Sequence, residues 1–179
     1  ASRTREKTMS VASTPAAKML GNWNKRRERR VGIMLHYDDS TSDASGITWL
    51  RDDPRCKVSY NEAIRDNGTS VGIAPSDARA WHAGVCKPSN PKLAYHDANS
   101  ALYGLAITAN GKDTVKPAQL TAVVDRCRMI FDEHGWPLTE TWRITSHSAE
   151  AWPRGRKVDC EGQRKNGKVL DPAEVRAKL

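Results

Sequence analysis

The feature that most constrains the fold is a single apolar stripe along the segment from Pro117 to His134. Its side chains recur at the spacing of successive helical turns: Leu120, Val123, Val124, Cys127, Ile130 and Phe131. A stripe of this period makes one face of an α-helix apolar. Pro117 suits the first helical turn, and Gly135 suits the position just beyond the last turn. We therefore predict an amphipathic helix over residues 117–134.

Short apolar runs predict the strands that accompany this helix. The runs over 31–36 and 101–108 have the length and composition of buried strands. A third, shorter strand is predicted over 142–146, directly before His147. Ligands in α/β folds usually bind at the carboxyl ends of strands, so a histidine in this place is a candidate site residue.

A hairpin and two further helices complete the predicted elements. Segments 58–65 and 70–74 flank Asp66-Asn67-Gly68-Thr69, which predicts a hairpin turn because Asn-Gly tolerates positive φ. Asp43 can cap a short helix, and Asp171-Pro172 supplies the cap and first turn of a last helix. Strands and helices alternate through hairpin and crossover links. We predict a single α/β domain in which helices flank a central mixed β-sheet.

The first 30 residues differ from the rest of the chain. Residues 1–15 are polar and small and are expected to form a mobile arm. Residues 16–30 can form a helix with Met19, Leu20 and Trp23 on one side. We predict that residues 1–30 form a basic N-terminal extension and that residues 31–179 form the domain.

The chain is basic, with a formal net charge of +8 that is concentrated at residues 24–30. Such a charge favours anionic partners: nucleic acid, acidic lipid or an anionic cell-wall polymer. The simpler interpretation of the cluster is a solvated basic face. The sequence has no aromatic-interleaved motif or DNA-binding spacing, so no specific nucleic-acid partner is expected.

The four cysteines, Cys56, Cys86, Cys127 and Cys160, are widely spaced and form no C-x-x-C pair. Without the apolar segment of a secretory signal, they are expected to be free thiols. A disulfide bridge between Cys56 and Cys86 is an alternative that the sequence does not exclude. The sequence has no apolar run of about 18 residues, so no transmembrane helix is expected.

A possible metal site follows from the residue types near the predicted strand ends. His36 closes the first strand, His147 follows the late strand, and Asp159 lies further along the chain. Two histidines and one carboxylate can bind zinc and leave a fourth position for water. Taken singly, each histidine is more often structural or exposed than a ligand.

Four blocks of this sequence, in order, resemble the zinc-dependent N-acetylmuramoyl-L-alanine amidases shared by phage endolysins and peptidoglycan recognition proteins. Together the blocks span residues 31 to about 160, which is most of the chain: Ile33-Met34-Leu35-His36; Val58-Ser59-Tyr60 with the hairpin turn 65–69; Ala80-Trp81-His82-Ala83-Gly84; and Ile144-Thr145-Ser146-His147 with Arg156-Lys157-Val158-Asp159. The resemblance implies the fold of that family and a zinc amidase domain over 31–179.

The resemblance also implies a role for each of the matched residues. One zinc ion would be bound by His36, His147 and Asp159. Tyr60 and Lys157 would flank the bound water and the scissile carbonyl, and Trp81 and His82 would line the cleft. The implied reaction is hydrolysis of the amide between N-acetylmuramic acid and L-alanine in bacterial peptidoglycan.

The resemblance further implies a setting for this reaction. A phage endolysin is expected, acting as a monomer that stays in the host cytoplasm until it is released to the cell wall. The basic N-terminal region would guide it to anionic wall or membrane surfaces.

Two departures from the family pattern leave residue roles open. Many members carry a glutamate base where this chain has Ala106. Glu62 is a speculative substitute because it shares a strand face with Tyr60, although an exposed strand charge is its simpler interpretation. Cys160 directly follows Asp159 and is an alternative third ligand. Neighbours in an extended segment point to opposite faces, so only one of the two is expected to bind, and we favour Asp159.

Two other functions compete with the enzyme. A recognition module would bind peptidoglycan without cutting it, and the missing glutamate is compatible with that. All three ligand positions nevertheless carry competent residues, which favours catalysis. The interpretation as a nucleic-acid-binding protein is supported by charge alone.

Overall fold

The structure is a computed structural model, which describes residues 14–15, 21–161 and 169–179. The strands in these ranges are β1 (Thr14–Pro15), β2 (Trp23–Asn24), β3 (Gly32–Tyr37), β4 (Glu62–Ile64), β5 (Ser70–Gly72), β6 (Arg79–Ala80), β7 (Leu102–Ile107) and β8 (Ile144–Ser146). The α-helices are α1 (Asp43–Asp52), α2 (Ala98–Ala101), α3 (Pro117–Glu133), α4 (His147–Glu150) and α5 (Pro172–Ala177), and a 3₁₀ turn covers Thr141–Arg143.

The main sheet is mixed, with the strand order β1-β5-β4-β7-β3-β8. Strand β3 lies between β7 and β8 and runs parallel to both. Strands β4 and β5 form an antiparallel hairpin, and β4 is parallel to β7. A separate small sheet pairs β2 with β6. These pairings confirm a single α/β domain with a central mixed sheet flanked by helices.

The two longest strands are buried at every residue. All six residues of β3 and all six of β7 are buried, as expected for parallel strands that are covered on both faces. The apolar stripe of α3 covers one face, where Val123, Ile130 and Phe131 pack with Leu35 and Ile107. The stripe therefore has the function its period indicated, which is to close the core over the sheet.

Local signals locate most elements within a residue or two. Helix α3 begins at Pro117 as predicted, and Gly135 follows it with φ of 64°. The predicted hairpin is confirmed, although strand β4 is shorter than the predicted segment 58–65. The cap of α1 is Ser42 rather than Asp43, because the Ser42 side chain accepts the backbone N–H of Ser45.

Residues 21–30 differ from the prediction. They do not form a helix, since β2 pairs with β6 and the following residues run along the domain. Arg30 is buried, and its guanidinium donates hydrogen bonds to the carbonyls of Ser100, Leu102 and Ala78. Because a buried guanidinium needs such acceptors, this residue holds the segment against the sheet. The rest of the predicted helix, residues 16–20, lies outside the described residues, and the division of the chain at residue 30 stays a prediction.

The four cysteines are free thiols, as predicted, so the bridge between Cys56 and Cys86 does not form in this structure. Three of them are buried, and Cys86 is half-buried. Across residues 14–15, 21–161 and 169–179, no helix has the length and apolar character needed to cross a membrane.

A buried ion pair joins the hairpin to α3. The Glu62 carboxylate accepts hydrogen bonds from Arg126 Nε at 2.7 Å, Tyr103 Oη at 2.7 Å and Ser70 Oγ at 2.8 Å. The side chains of Arg126 and Glu62 are 6% and 5% exposed, so both charges depend on each other for solvation. Removing one partner of such a pair leaves an uncompensated buried charge.

Arg126→Met should lower the free energy of unfolding by about 3–5 kcal/mol, because the Glu62 charge then loses its partner. Urea unfolding followed by tryptophan fluorescence measures this change. Arg128→Met on the same helix is the matched control, since Arg128 is exposed and pairs with exposed Asp125. Equal losses in the two variants would contradict the importance of the buried pair.

Candidate metal centre and active site

Two histidines meet at the carboxyl edge of the sheet because the strands that carry them are parallel neighbours. Leu35 of β3 pairs with Ser146 of β8, and His36 and His147 each follow by one residue. Their ring centroids lie 4.9 Å apart. Ser146 also caps α4, so His147 occupies the first turn of that short helix.

Asp159 is brought to the histidines by the segment that follows α4. The backbone N–H of Ser148 donates to the carbonyl of Asp159, which fixes the returning chain beside the start of α4. Asp159 Oδ2 lies 2.8 Å from His36 Nδ1 and 3.1 Å from His147 Nδ1. One possible ligand atom from each residue lies within 4.8 Å of the others.

The partners of the outer ring nitrogens determine which way each imidazole presents its lone pair. His147 Nε2 lies 2.8 Å from the carbonyl oxygen of Ala83, which can only accept, so Nε2 carries the proton. His82 Nε2 lies 3.1 Å from the carbonyl of Leu102 and must likewise donate. Neutral His82 then accepts at Nδ1, and His36 Nε2, 3.0 Å away, is the donor.

His36 and His147 therefore both donate from Nε2 and direct Nδ1 at the Asp159 carboxylate. Burial lowers the pKa of His36 to about 4, against the opposing effect of Asp159, so this ring is neutral at pH 7. Two lone pairs and a carboxylate oxygen that converge in this way repel one another unless a cation lies among them. The donor set fits zinc, which binds histidine nitrogen and carboxylate oxygen and can keep a fourth position for water.

A cavity of about 400 Å³ opens beside these three residues. Tyr60, His82, Lys157 and Arg156 line it, together with His147 and Asp159. An adjoining cavity of about 260 Å³ shares His82, His147, Arg156 and Lys157 and includes Trp81 and Lys57. The structure thus brings the predicted ligand, catalytic and cleft residues to one place.

Tyr60 is suited to donate a hydrogen bond in this cavity. Its ring centroid lies 5.0 Å from that of His36, and the side chain is buried. Burial, with Asp159 nearby, raises the pKa of Tyr60 well above its ordinary value. The phenol therefore keeps its proton at neutral pH and acts as a donor. Lys157 is exposed at the rim of both cavities.

Two of the predicted alternatives lie elsewhere. The structure does not bring Glu62 to the metal centre, because its carboxylate is held by Arg126, Tyr103 and Ser70. Glu62 is also buried, so the interpretation as an exposed strand charge is wrong. Cys160 is fully buried among the apolar side chains of the core, and burial raises the pKa of its thiol well above the ordinary value. The structure therefore places Asp159, and not Cys160, beside the histidines.

Sequence reasoning missed three residues that line the cavities. Arg156 donates to the carbonyls of Ala83 and Val85 and borders both cavities, while Lys57 borders one. Asp38 lies two residues beyond His36, and its Oδ1 accepts the backbone N–H groups of Ser40 and Ala109. The position of Asp38 just after a strand-end histidine is a signal that could have identified it.

A mixed sheet with two histidines and an aspartate at the carboxyl ends of its strands defines a candidate metal-dependent hydrolase. Residues 26–163 match the family described as N-acetylmuramoyl-L-alanine amidase, and this chain belongs to that family. The chain is thus an amidase of the peptidoglycan-cleaving type. No curated protein is a match to this sequence.

Solved structures share the fold at low sequence identity. A selenomethionine derivative of AmpD has a TM-score of 0.72 and 19% identity over 93% of this chain and 94% of its own. AmiD from E. coli, in complex with anhydro-N-acetylmuramic acid-L-Ala-D-gamma-Glu-L-Lys, has a TM-score of 0.65 and 18% identity. The match covers 84% of this chain and 58% of the AmiD chain. A mutant endolysin from Bacillus subtilis has a TM-score of 0.58 and 17% identity, over 77% of this chain and 84% of its own. These similarities confirm the predicted fold.

Glu62→Gln should leave turnover per folded molecule unchanged while it destabilises the protein, because the Glu62 carboxylate forms a buried ion pair with Arg126 away from the cavities. Steady-state kinetics on protein with a known folded fraction, together with urea unfolding, separate the two effects. A loss of kcat of about 100-fold or more in folded protein would instead identify Glu62 as a general base.

Asp159→Ala should lose bound zinc, whereas Cys160→Ala should keep it, because only the Asp159 side chain faces the two histidines. Metal content after gel filtration measures this difference directly. Zinc retained in Asp159→Ala and lost in Cys160→Ala would reverse the assignment.

Proposed function

We propose that this chain is a zinc-dependent amidase that hydrolyses the amide between N-acetylmuramic acid and L-alanine, with one zinc ion bound by His36, His147 and Asp159. The observation that carries the proposal is the convergence of two imidazole lone pairs and a carboxylate beside a cavity. The family supplies the class of reaction, and the donor set supplies the reason for a metal.

In the proposed reaction, different residues of the chain have different roles. A zinc ion held by these residues would lower the pKa of its water to about 7 and polarise a carbonyl. Tyr60 donates a hydrogen bond to the oxygen of the scissile carbonyl. Lys157 places a positive charge where negative charge develops on that oxygen, as an oxyanion hole does. Water adds to the carbonyl carbon of the lactyl group and forms a C–O bond. The C–N bond then breaks, the amine of L-alanine leaves with a proton that came from the water, and the lactyl group is released as a carboxylate.

The charge around the cleft supports a peptide substrate with free carboxylates. Arg156 and Lys157 border both cavities and Lys57 borders the smaller one, so the smaller cavity is lined by three cations. The larger cavity is also lined by Asp38, Asp39 and Asp159. Peptidoglycan stem peptides are anionic, and the smaller cavity, whose charged lining residues are all cations, attracts the opposite sign. No stem-peptide sequence is singled out by this argument.

We further propose that the enzyme acts as a phage endolysin, as a monomer that reaches the wall from the host cytoplasm. The net charge of +8 supports attraction to anionic wall or membrane surfaces, with the exposed cations Lys25, Arg27 and Arg29 as the contact region. This attraction should weaken with salt, because charges are screened over about 8 Å at physiological ionic strength. No specific nucleic-acid partner is part of the proposal.

A second candidate substrate is a soluble muropeptide rather than the intact wall. The similarity to AmpD over nearly the full length of both chains supports it, as does the anhydromuramic peptide in the AmiD complex. The other candidate, a module that binds peptidoglycan without cutting it, receives no support from the family match or from the complete set of ligand residues.

The test is to incubate the purified protein with insoluble peptidoglycan and, separately, with a soluble muropeptide, each with and without a chelator. The proposal expects new L-alanine amino termini that disappear when the chelator is present. Faster release from the insoluble wall supports the endolysin, and faster release from the fragment supports the second candidate. New reducing sugar ends, or tight binding without cleavage, would overturn the amidase assignment.

Lys157→Ala should lower kcat by about 100–1000-fold, because it removes the charge that stabilises the oxyanion, and it should retain zinc. The same preparation should be assayed for kcat, KM and metal content. Lys92→Ala is the matched control, since Lys92 is exposed beside Trp142 and outside both cavities. Equal kcat in the two variants would exclude Lys157 from the reaction.

A further inference from the structure

We propose that the dipeptide His82-Ala83 orients both metal-binding histidines and that Asn99 holds this dipeptide in position. His82 is then a positioning residue for the metal centre, and not a residue that binds substrate. The inference rests on the proposed function in one respect, which is that His36 and His147 bind the metal.

The first member of the dipeptide contacts His36. His82 Nδ1 lies 3.0 Å from His36 Nε2, and the two rings meet edge to face with centroids 5.1 Å apart. On its other side, His82 Nε2 lies 3.1 Å from the carbonyl of Leu102. Because that carbonyl only accepts, the chain of bonds runs from His36 through His82 to Leu102 and leaves His36 Nδ1 unprotonated.

The second member of the dipeptide contacts His147. The carbonyl oxygen of Ala83 lies 2.8 Å from His147 Nε2, so this ring also donates from Nε2 and presents Nδ1 to Asp159. Two adjacent residues therefore set the ring orientation of two ligands that are more than 100 positions apart in the sequence. Such outer contacts fix the tautomer of a ligand histidine and raise its basicity.

Asn99 fixes the backbone of this dipeptide from α2. Its side-chain oxygen accepts the backbone N–H of His82 at 3.0 Å and that of Ala83 at 2.7 Å. Asn99 is buried, so both bonds are shielded from water. Since one oxygen holds both N–H groups, a shift of Asn99 would move the partners of both histidines together.

Gly104 of β7 supplies the space that the His82 ring occupies. A Cβ atom at position 104 would lie 2.8 Å from Cγ and Cδ2 of that ring, which is closer than real contacts allow. His82 borders both cavities but is only 6% exposed, so its ring offers little surface to a substrate. The packing of His82 therefore favours a role in supporting His36 over a role in contacting substrate.

The position of each hydrogen bond allows a test with two amide substitutions. In His82→Asn the side-chain oxygen can take the place of Nδ1 and accept from His36, while the bond to Leu102 is lost. In His82→Gln the amide nitrogen can take the place of Nε2 and donate to Leu102, while the acceptor for His36 is lost. The two variants thus separate support of the ligand from support of the fold.

The experiment measures zinc affinity by competition with a chromophoric chelator and the thermal unfolding of each apo protein. We expect His82→Gln to bind zinc about 10–100-fold more weakly and His82→Asn to stay close to the unsubstituted protein. Asn99→Ala should weaken zinc binding, and Asn99→Asp should restore it because the acceptor oxygen is kept. His96→Asn is the control, since His96 is exposed in a polar loop.

Several results would overturn the inference. They are equal zinc affinity in His82→Asn and His82→Gln, a loss that follows apo stability instead of the acceptor at Nδ1, or a raised KM with unchanged zinc affinity. Zinc bound by the unsubstituted chain without amide cleavage would overturn the proposed function alone. Zinc affinity that is unchanged in every variant of an active enzyme would overturn this inference alone.

Discussion

The parallel pairing of β3 with β8 is the constraint on which the rest of the site depends. It aligns Leu35 with Ser146, so His36 of β3 and His147, the first residue after β8, lie at the same edge of the sheet. Strand β7 pairs with the other side of β3 and places Ala106 beside His36. Ala106, where the family resemblance implies a glutamate, thus lies next to the candidate metal centre. A slip of one residue in either pairing would turn a histidine to the opposite face and remove the site.

Buried polar groups position the site, and apolar packing holds the sheet that carries them. Arg30, Asn99 and the carbonyls of Ala83 and Leu102 each form buried hydrogen bonds. On the other side of the sheet, Glu62 and Arg126 form a separate buried pair that links the hairpin to α3. The three ligand residues are the exception, because their lone pairs and negative charge converge on one another. That arrangement costs stability in the absence of a cation, and this is what one expects of a binding site.

The parts of the fold that were predicted correctly have local causes. The 3.6-residue period of α3 and the Asn-Gly turn of the hairpin act over a few residues, and both appear in the structure at the predicted positions. The helix predicted over 16–30 failed in its described part because tertiary contacts override propensity there. The second small strand pairs with β6, and Arg30 finds its acceptors on segments about 50 to 70 positions away. Because those acceptors lie far away in the sequence, no pattern within residues 16–30 could predict them.

The sequence by itself determined the residue types of the site and the order of the strands that carry them. Four blocks in order, two of them with a histidine at a predicted strand end, were enough to predict the family, and the family is confirmed. Only the tertiary structure decided which neighbour faces which group: Asp159 lies at the histidines and Cys160 in the core, Glu62 lies beside Arg126, and His82 lies behind His36. The physical reason is that periodicity assigns a side chain to a face of its element, whereas the layer packed on that face supplies the partner.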